Sequence, residues 1–82
     1  MAKSRAELLE LFRKTAGEIV EREFPVLTED TKIAELGIDS LGMLEVISAL
    51  ERELTVQIPD EALAGLVTIR DFIDAVEKRF AV

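Results

Sequence analysis

Gly37-Ile38-Asp39-Ser40-Leu41 is where a reactive side chain stands in the most unusual setting of this 82-residue chain. The serine follows an acid, is flanked by apolar residues and opens a run with helical periodicity. Two chemistries are open to a hydroxyl placed this way. It can accept a backbone amide as a helix N-cap, which accounts for most serines at helix starts. Alternatively it can stand exposed at the positive end of the helix, where first-turn amides and the dipole stabilise a phosphate-linked group joined to it. A serine in the middle of an apolar stripe could not be modified in this manner.

The rest of the composition offers little competing chemistry. The chain has neither Cys nor His, so it lacks disulfides, thiolate sites, the usual zinc ligands and the usual general base. A Ser-His-Asp hydrolase cannot be assembled from it. A pair of carboxylates could still act on a glycosidic bond, but so small a domain has little room for a cleft that excludes water. No catalytic residue and no metal ligand is expected, and an enzyme is the least favoured reading.

Net charge narrows the partners. At −7 the chain is unsuited to nucleic acid, which requires a basic surface. The charge is also uneven: from Glu29 to Glu61 nine acids face two bases, Lys32 and Arg52, whereas the remaining residues balance at eight and eight. Such a concentration of acid can serve solubility alone; read functionally, it is a patch in the middle of the chain that steers basic partners. The N-terminus carries charges throughout Met1 to Lys14 and lacks the apolar stretch of a signal peptide, and no run is long enough to span a membrane. A cytoplasmic monomer that does not enter membranes is expected, and the initial Met is expected of a freestanding chain.

The elements that must position Ser40 follow from periodicity. At this length one domain, residues 1–82, is expected, burying roughly 60 to 65% of the surface its unfolded chain exposes. Ser4 and Glu7 have capping-box spacing. Leu8, Leu11, Phe12, Thr15, Ala16 and Ile19 then recur every three or four residues, predicting a helix over Ser4–Arg22 that is weakened at Gly17 and ended by Pro25. Phe24 to Asp39 has no sustained period and reads as a long, ordered loop that lays Val26, Leu27, Ile33, Leu36 and Ile38 onto the core. Leu41, Leu44, Ile47, Leu50 and Leu54 form the apolar stripe of a second helix, Ser40–Leu54. Pro59-Asp60-Glu61 starts a short helical turn through Leu66. Thr68 and Asp71 mark the cap of a last helix, whose stripe is Ile69, Phe72, Ile73, Val76 and Phe80. The fold class is all-α: three principal helices and one short helix in a small bundle with a long first loop.

The run Glu35 to Leu54, Glu-Leu-Gly-Ile-Asp-Ser-Leu-Gly-Met-Leu-Glu-Val-Ile-Ser-Ala-Leu-Glu-Arg-Glu-Leu, resembles the phosphopantetheine attachment region of acyl carrier proteins. The short Gly-x-Asp-Ser-Leu motif gains specificity from Glu45 and Ala49-Leu50-Glu51 downstream, and from Ile58-Pro59-Asp60-Glu61 and Thr68 in register without a gap. The specific part of the resemblance covers about half the chain; the first helix matches in type and length only. The resemblance implies that a phosphopantetheinyl transferase attaches 4'-phosphopantetheine covalently to Ser40 from coenzyme A with magnesium. It implies that the thiol of the arm, which a chain without Cys cannot itself provide, holds an acyl or aminoacyl group as a thioester. It further implies a carrier without enzymatic activity, whose partners are acyl-loading, condensing or acyl-transfer enzymes of fatty-acid, polyketide or related biosynthesis. Carried over by position, Asp39 and Leu41 help the transferase recognise the serine, and Glu45 and Glu51 meet Arg and Lys on partners.

Two departures stand out. Gly42 occupies a position where fatty-acid carriers frequently have an acid, and Arg52 puts a base where another acid is expected; together they favour a carrier of specialised metabolism. Without the resemblance, Glu45 and Glu51 read as a solvated helix face, and Leu44, Ile47, Leu50 and Leu54 read equally well as core or as a cleft for the acyl chain. The alternative function is a helical interaction module that acts unmodified through its acidic surface. It would be favoured if Ser40→Ala kept full activity while charge reversal at Glu45 abolished it.

Overall fold

In the computed structural model, which describes residues 3–80, the chain forms α1 (Arg5–Val20), a 3-10 turn (Ile33–Leu36), α2 (Ser40–Leu54), α3 (Asp60–Ala64) and α4 (Ile69–Phe80). This is the all-α arrangement expected. Among the described residues the only β pairing is an isolated antiparallel bridge between Lys32 and Thr68.

The start of α1 is a complete capping box. Ser4 Oγ accepts from Glu7 N–H at 3.1 Å, and Ser4 N–H donates to Glu7 Oε1 at 2.8 Å. The helix ends at Val20, earlier than Pro25 alone would require. Glu21 adopts the left-handed conformation (φ 55°), and Arg22 N–H turns back to the Gly17 carbonyl at 3.0 Å. A Cβ on Gly17 would lie 2.7 Å from the Arg22 carbonyl oxygen, so Gly17 is what allows this closing turn rather than a weakness in the helix.

The long segment between α1 and α2 is ordered by backbone bonds to the start of α4. Ile69 N–H donates to the Thr31 carbonyl (3.1 Å), Arg70 N–H to that of Glu29 (2.9 Å), and Ile33 N–H to that of Val67 (2.9 Å). Orphan amides of α4 are thereby satisfied by the loop. The cap is completed by Thr68 and Asp71: Asp71 Oδ2 accepts from Val67 and Thr68 N–H, and Thr68 Oγ1 accepts from Asp71 N–H. The two backbone donors depress the pKa of Asp71.

Around this frame the core takes Leu8, Phe12 and Ala16 from α1, Leu27, Ile33 and Leu36 from the loop, and Val46, Ile47, Leu50 and Leu54 from α2. Ile58 and the α4 stripe Ile69, Phe72, Ile73 and Val76 complete it, with no buried polar side chain among the described residues. The Phe12 and Phe72 rings meet at 5.3 Å between centroids, tilted by 55°. The side chain of Phe80, which spacing also assigned to the α4 stripe, lies outside the described residues. Helix α3 is short and lightly anchored: none of its five residues is fully buried, Ala62 and Leu63 pack partly against the core, and Pro59 at its N-cap gives no side-chain bond.

The stripe of α2 behaves differently from its expectation. Its later members are buried, but Leu41 and Leu44 are 66% and 59% exposed. The charge of the middle segment is redistributed as well. Glu29 pairs with Arg5 at 2.6 Å, and Arg70 pairs with Asp30 at 2.6 Å. Arg5 also reaches Asp74 (3.0 Å) and Glu77. The hydrogen bond with Glu29 raises the pKa of Arg5 and lowers that of Glu29. Cations from outside the acidic middle thus neutralise its first two acids, and the expected patch is not continuous.

Candidate functional site

Asp39, not Ser40, is the N-cap of α2. Its backbone is extended (φ −74°, ψ 174°), its Oδ1 accepts from Gly42 N–H at 2.7 Å, and its carbonyl accepts from Met43 N–H at 2.9 Å. Ser40 is the first helical residue, exposed, with its hydroxyl free of the capping role. The capping carboxylate and carbonyl of Asp39 take the amides of Gly42 and Met43, leaving those of Ser40 and Leu41 at the positive end of the α2 dipole. An anionic ester on the Ser40 oxygen fits this setting: it is accessible and close to backbone donors.

Three features hold the approach to Ser40. The 3-10 turn buries Ile33 and Leu36, fixing it on the core. Gly37 then takes the left-handed conformation (φ 70°), which a side chain would resist, and redirects the chain toward Asp39. Arg22 Nη2 donates to the Leu36 carbonyl at 2.6 Å, while the guanidinium lies 5.1 Å from the centroid of the Phe24 ring. Arg22 was not singled out in the sequence. Its place beside Phe24 and Pro25 gave no periodic signal, and the contact joins residues 14 apart.

Beside Ser40 opens a groove of about 360 Å³ lined by Ile33, Ile38, Met43, Leu44, Ile47, Leu63 and Leu66 as well as by Ser40 itself. One wall is α2, the other comes from α3 and the residues after it. Of the four stripe residues that could have formed a cleft, Leu44 and Ile47 line the groove, whereas Leu50 and Leu54 belong to the buried core. The signal lies in the spacing itself: successive steps of three residues turn the stripe by about 60°, so Leu44 sits at the edge of the buried face and Leu41 on the opposite side of α2 from Leu50.

The acidic positions of α2 separate into two kinds. Glu45 is exposed. Glu51 is half-buried and its Oε2 accepts from Ile58 N–H at 2.7 Å, tying α2 to the connector that leads into α3. At the end of α2, Thr55 is left-handed (φ 58°), unfavourable for a β-branched residue by about 1–2 kcal/mol, and the Glu51 contacts hold the chain there. Leu41 lies next to Ser40 as an exposed apolar side chain.

Comparison with known proteins points the same way. The phosphopantetheine attachment site family matches this chain over residues 6–76. Acyl carrier proteins of three Clostridium perfringens strains are each 39% identical to it over 61 residues, covering 74% of this chain and 80% of theirs. A crystal structure of an acyl carrier protein from Thermotoga maritima matches with a TM-score of 0.86 at 27% identity, covering 94% of this chain and 91% of that one. Fold and site define a phosphopantetheine-dependent carrier domain. More narrowly, the chain belongs to the acyl carrier protein family, whose members hold acyl groups on a covalent 4'-phosphopantetheine arm and meet a phosphopantetheinyl transferase and acyl-handling enzymes.

Proposed function

We propose that Ser40 is the attachment point of the arm, and that the whole chain works as one carrier domain with no catalysis of its own. The observation that carries this reading is the division of labour at the start of α2: Asp39 caps the helix and leaves an exposed hydroxyl one residue further on, at the mouth of an apolar groove. The bound arm supplies the thiol that holds the cargo. The chain's own residues orient it: the first-turn amides face the phosphate ester, and Met43, Leu44 and Ile47 offer the cargo an apolar wall.

That lining bears on the cargo. Apart from Ser40, every residue around the groove is apolar, so an aliphatic acyl chain entering it removes hydrocarbon from water without leaving a polar group unpaired. An aminoacyl cargo would have to desolvate its ammonium there with no anion to pair with it. The aliphatic reading is therefore favoured over the aminoacyl one, and Gly42 with Arg52 favours a pathway other than standard fatty-acid synthesis.

Leu41, exposed beside the serine, is proposed to give the transferase and later partners an apolar hold, and Glu45 a charged one. Asp39 contributes chiefly by setting the helix start, and Glu51 by fixing the connector while its second oxygen remains open to a partner cation. We also propose that the carrier acts as a monomer in the cytoplasm and does not enter membranes. Its net charge of −7 favours solubility, and none of the described helices is long and apolar enough to cross a bilayer.

Incubation with coenzyme A, magnesium and a broad-range phosphopantetheinyl transferase is expected to add one arm to the intact chain by mass, and none to Ser40→Ala. An unchanged mass for the parent chain with an active transferase would refute the assignment.

A further inference from the structure

The outward ridge of α2 is electrically mixed, unlike the chain as a whole. At 100° per residue, Leu41, Glu45, Ser48 and Arg52 fall within a sector of about 60°, and all four are exposed. The ridge thus holds one anion and one cation, for no net charge, on a protein of net charge −7. Neither neighbour of Arg52 in sequence offsets it. Glu51 turns its carboxylate to Ile58 N–H, and Glu53 points about 100° further round the helix. Arg52 forms no ion pair with any described residue. It borders an open hollow of about 550 Å³ shared with Ser48, Glu51, Thr55, Val56 and Gln57, wide enough to admit a side chain from another protein.

We propose that this ridge docks on a partner enzyme whose surface is itself of mixed sign: a cation facing Glu45 and, about 10 Å further along the helix, a carboxylate meeting Arg52 on the outward rim of the hollow, about 100° round the helix from Glu51. The inference rests on the reading of the chain as a carrier that presents the start of α2 to its partners. A uniformly basic docking surface, the natural complement of a chain this acidic, would bring a cation against Arg52. Like charges held together across an interface are strongly disfavoured, so Arg52 selects against such partners as much as it attracts the right one. A cation in the last turn of α2 also suits the helix dipole, but that role is met by a positive charge in any solvent setting and makes no demand on a partner.

The probe is a bacterial fatty-acid condensing enzyme whose carrier-docking surface is lined by Arg and Lys, used as such and with the one cation facing Arg52 changed to Glu. Phosphopantetheinylated chain, loaded with an acyl group, is the substrate, and kcat/KM is measured for both enzyme forms with the parent chain, Arg52→Gln and Arg52→Glu. The parent is expected to favour the Glu-bearing enzyme by roughly tenfold, Arg52→Glu to favour the all-basic enzyme by a similar factor, and Arg52→Gln to show little preference. The preferences should shrink as salt is raised. Equal preference for parent and Arg52→Glu, or a parent that favours the all-basic enzyme, would overturn the proposal. Should Arg52→Glu fold poorly because it reverses charge at the helix end, the parent and Arg52→Gln still decide. A chain that accepts no arm would fail earlier, by mass, and would refute the carrier reading rather than this one.

Discussion

The starts of α1 and α2 each contain a serine, and the two are used differently. At α1 the serine is the N-cap and Glu7 at the third helical position bonds back to it, so both side chains are engaged in the backbone. At α2 the N-cap is Asp39, the serine is one residue further in, and the third position is Gly42, which has no side chain to reach back. A Cβ there would come within 2.9 Å of Ile38 Cγ2 and 3.0 Å of Asp39 Oδ1. A shift of one residue therefore turns a structural hydroxyl into an available one. The absence of a side chain at 42 keeps its surroundings open and lets Ile38 pack against the groove.

This contrast can be broken most completely by moving the α2 serine into the α1 arrangement. The double variant Asp39→Ser/Ser40→Ala places a hydroxyl at the N-cap of α2, and it is expected to accept no arm by intact mass although the helix start stays capped. Arm incorporation at position 39 would show that availability does not depend on the cap.

The next largest effect is on stability. Urea unfolding is expected to show losses of about 1 kcal/mol for Ser4→Ala and for Asp39→Ala, the N-caps of α1 and α2. Ser40→Ala should lie within about 0.5 kcal/mol of the parent. A loss for Ser40→Ala as large as that for Ser4→Ala would mean that the two serines are not distinguished as described.

The smallest effect concerns acid. Hydrogen bonding to the Ser4 backbone lowers the pKa of Glu7 from its ordinary 4.5. Such a group binds its proton less readily in the folded state, so its contribution is fully present above pH 4.5 and is lost as pH falls through the lower folded value. Glu29 and Asp71 act in the same sense. Thermal melts from pH 6 down to pH 3 should show stability declining over this window, and Glu7→Gln should decline less steeply than the parent. An unchanged slope would detach the α1 capping box from the acid response.

Much of this arrangement was legible in the sequence, because each principal helix carries a periodic stripe and a capping signal. The range Ser40–Leu54, the Thr68–Asp71 cap and the Ser4–Glu7 box all emerge from local spacing. The exposure of Leu41 follows from the same spacing: nine residues, or 180° at 100° per residue, separate it from buried Leu50, so the two lie on opposite faces of α2 and Leu41 falls on the outward ridge with Glu45 and Arg52. Local spacing gave no hint, by contrast, of Arg22 bonded to the 3-10 turn, of the loop carbonyls capping α4, or of the cations that neutralise Glu29 and Asp30. Each of these joins residues far apart in sequence. At Ser40 the sequence left capping and modification both open; the position of Asp39 removes the first.

The ion pairs of Arg5 with Asp74 and Glu77 bring the beginning of α1 beside the later part of α4. The other end of α1 lies by the start of α2, since a Cβ on Gly42 would be 3.8 Å from Val20 Cγ1. Sixteen residues of helix, about 24 Å, therefore separate that ion cluster from Ser40. Anchored through residues near the cluster, to a bead, a scaffold or another domain, the protein would still hold Ser40 out toward solution, like a hook mounted on the far end of its own handle.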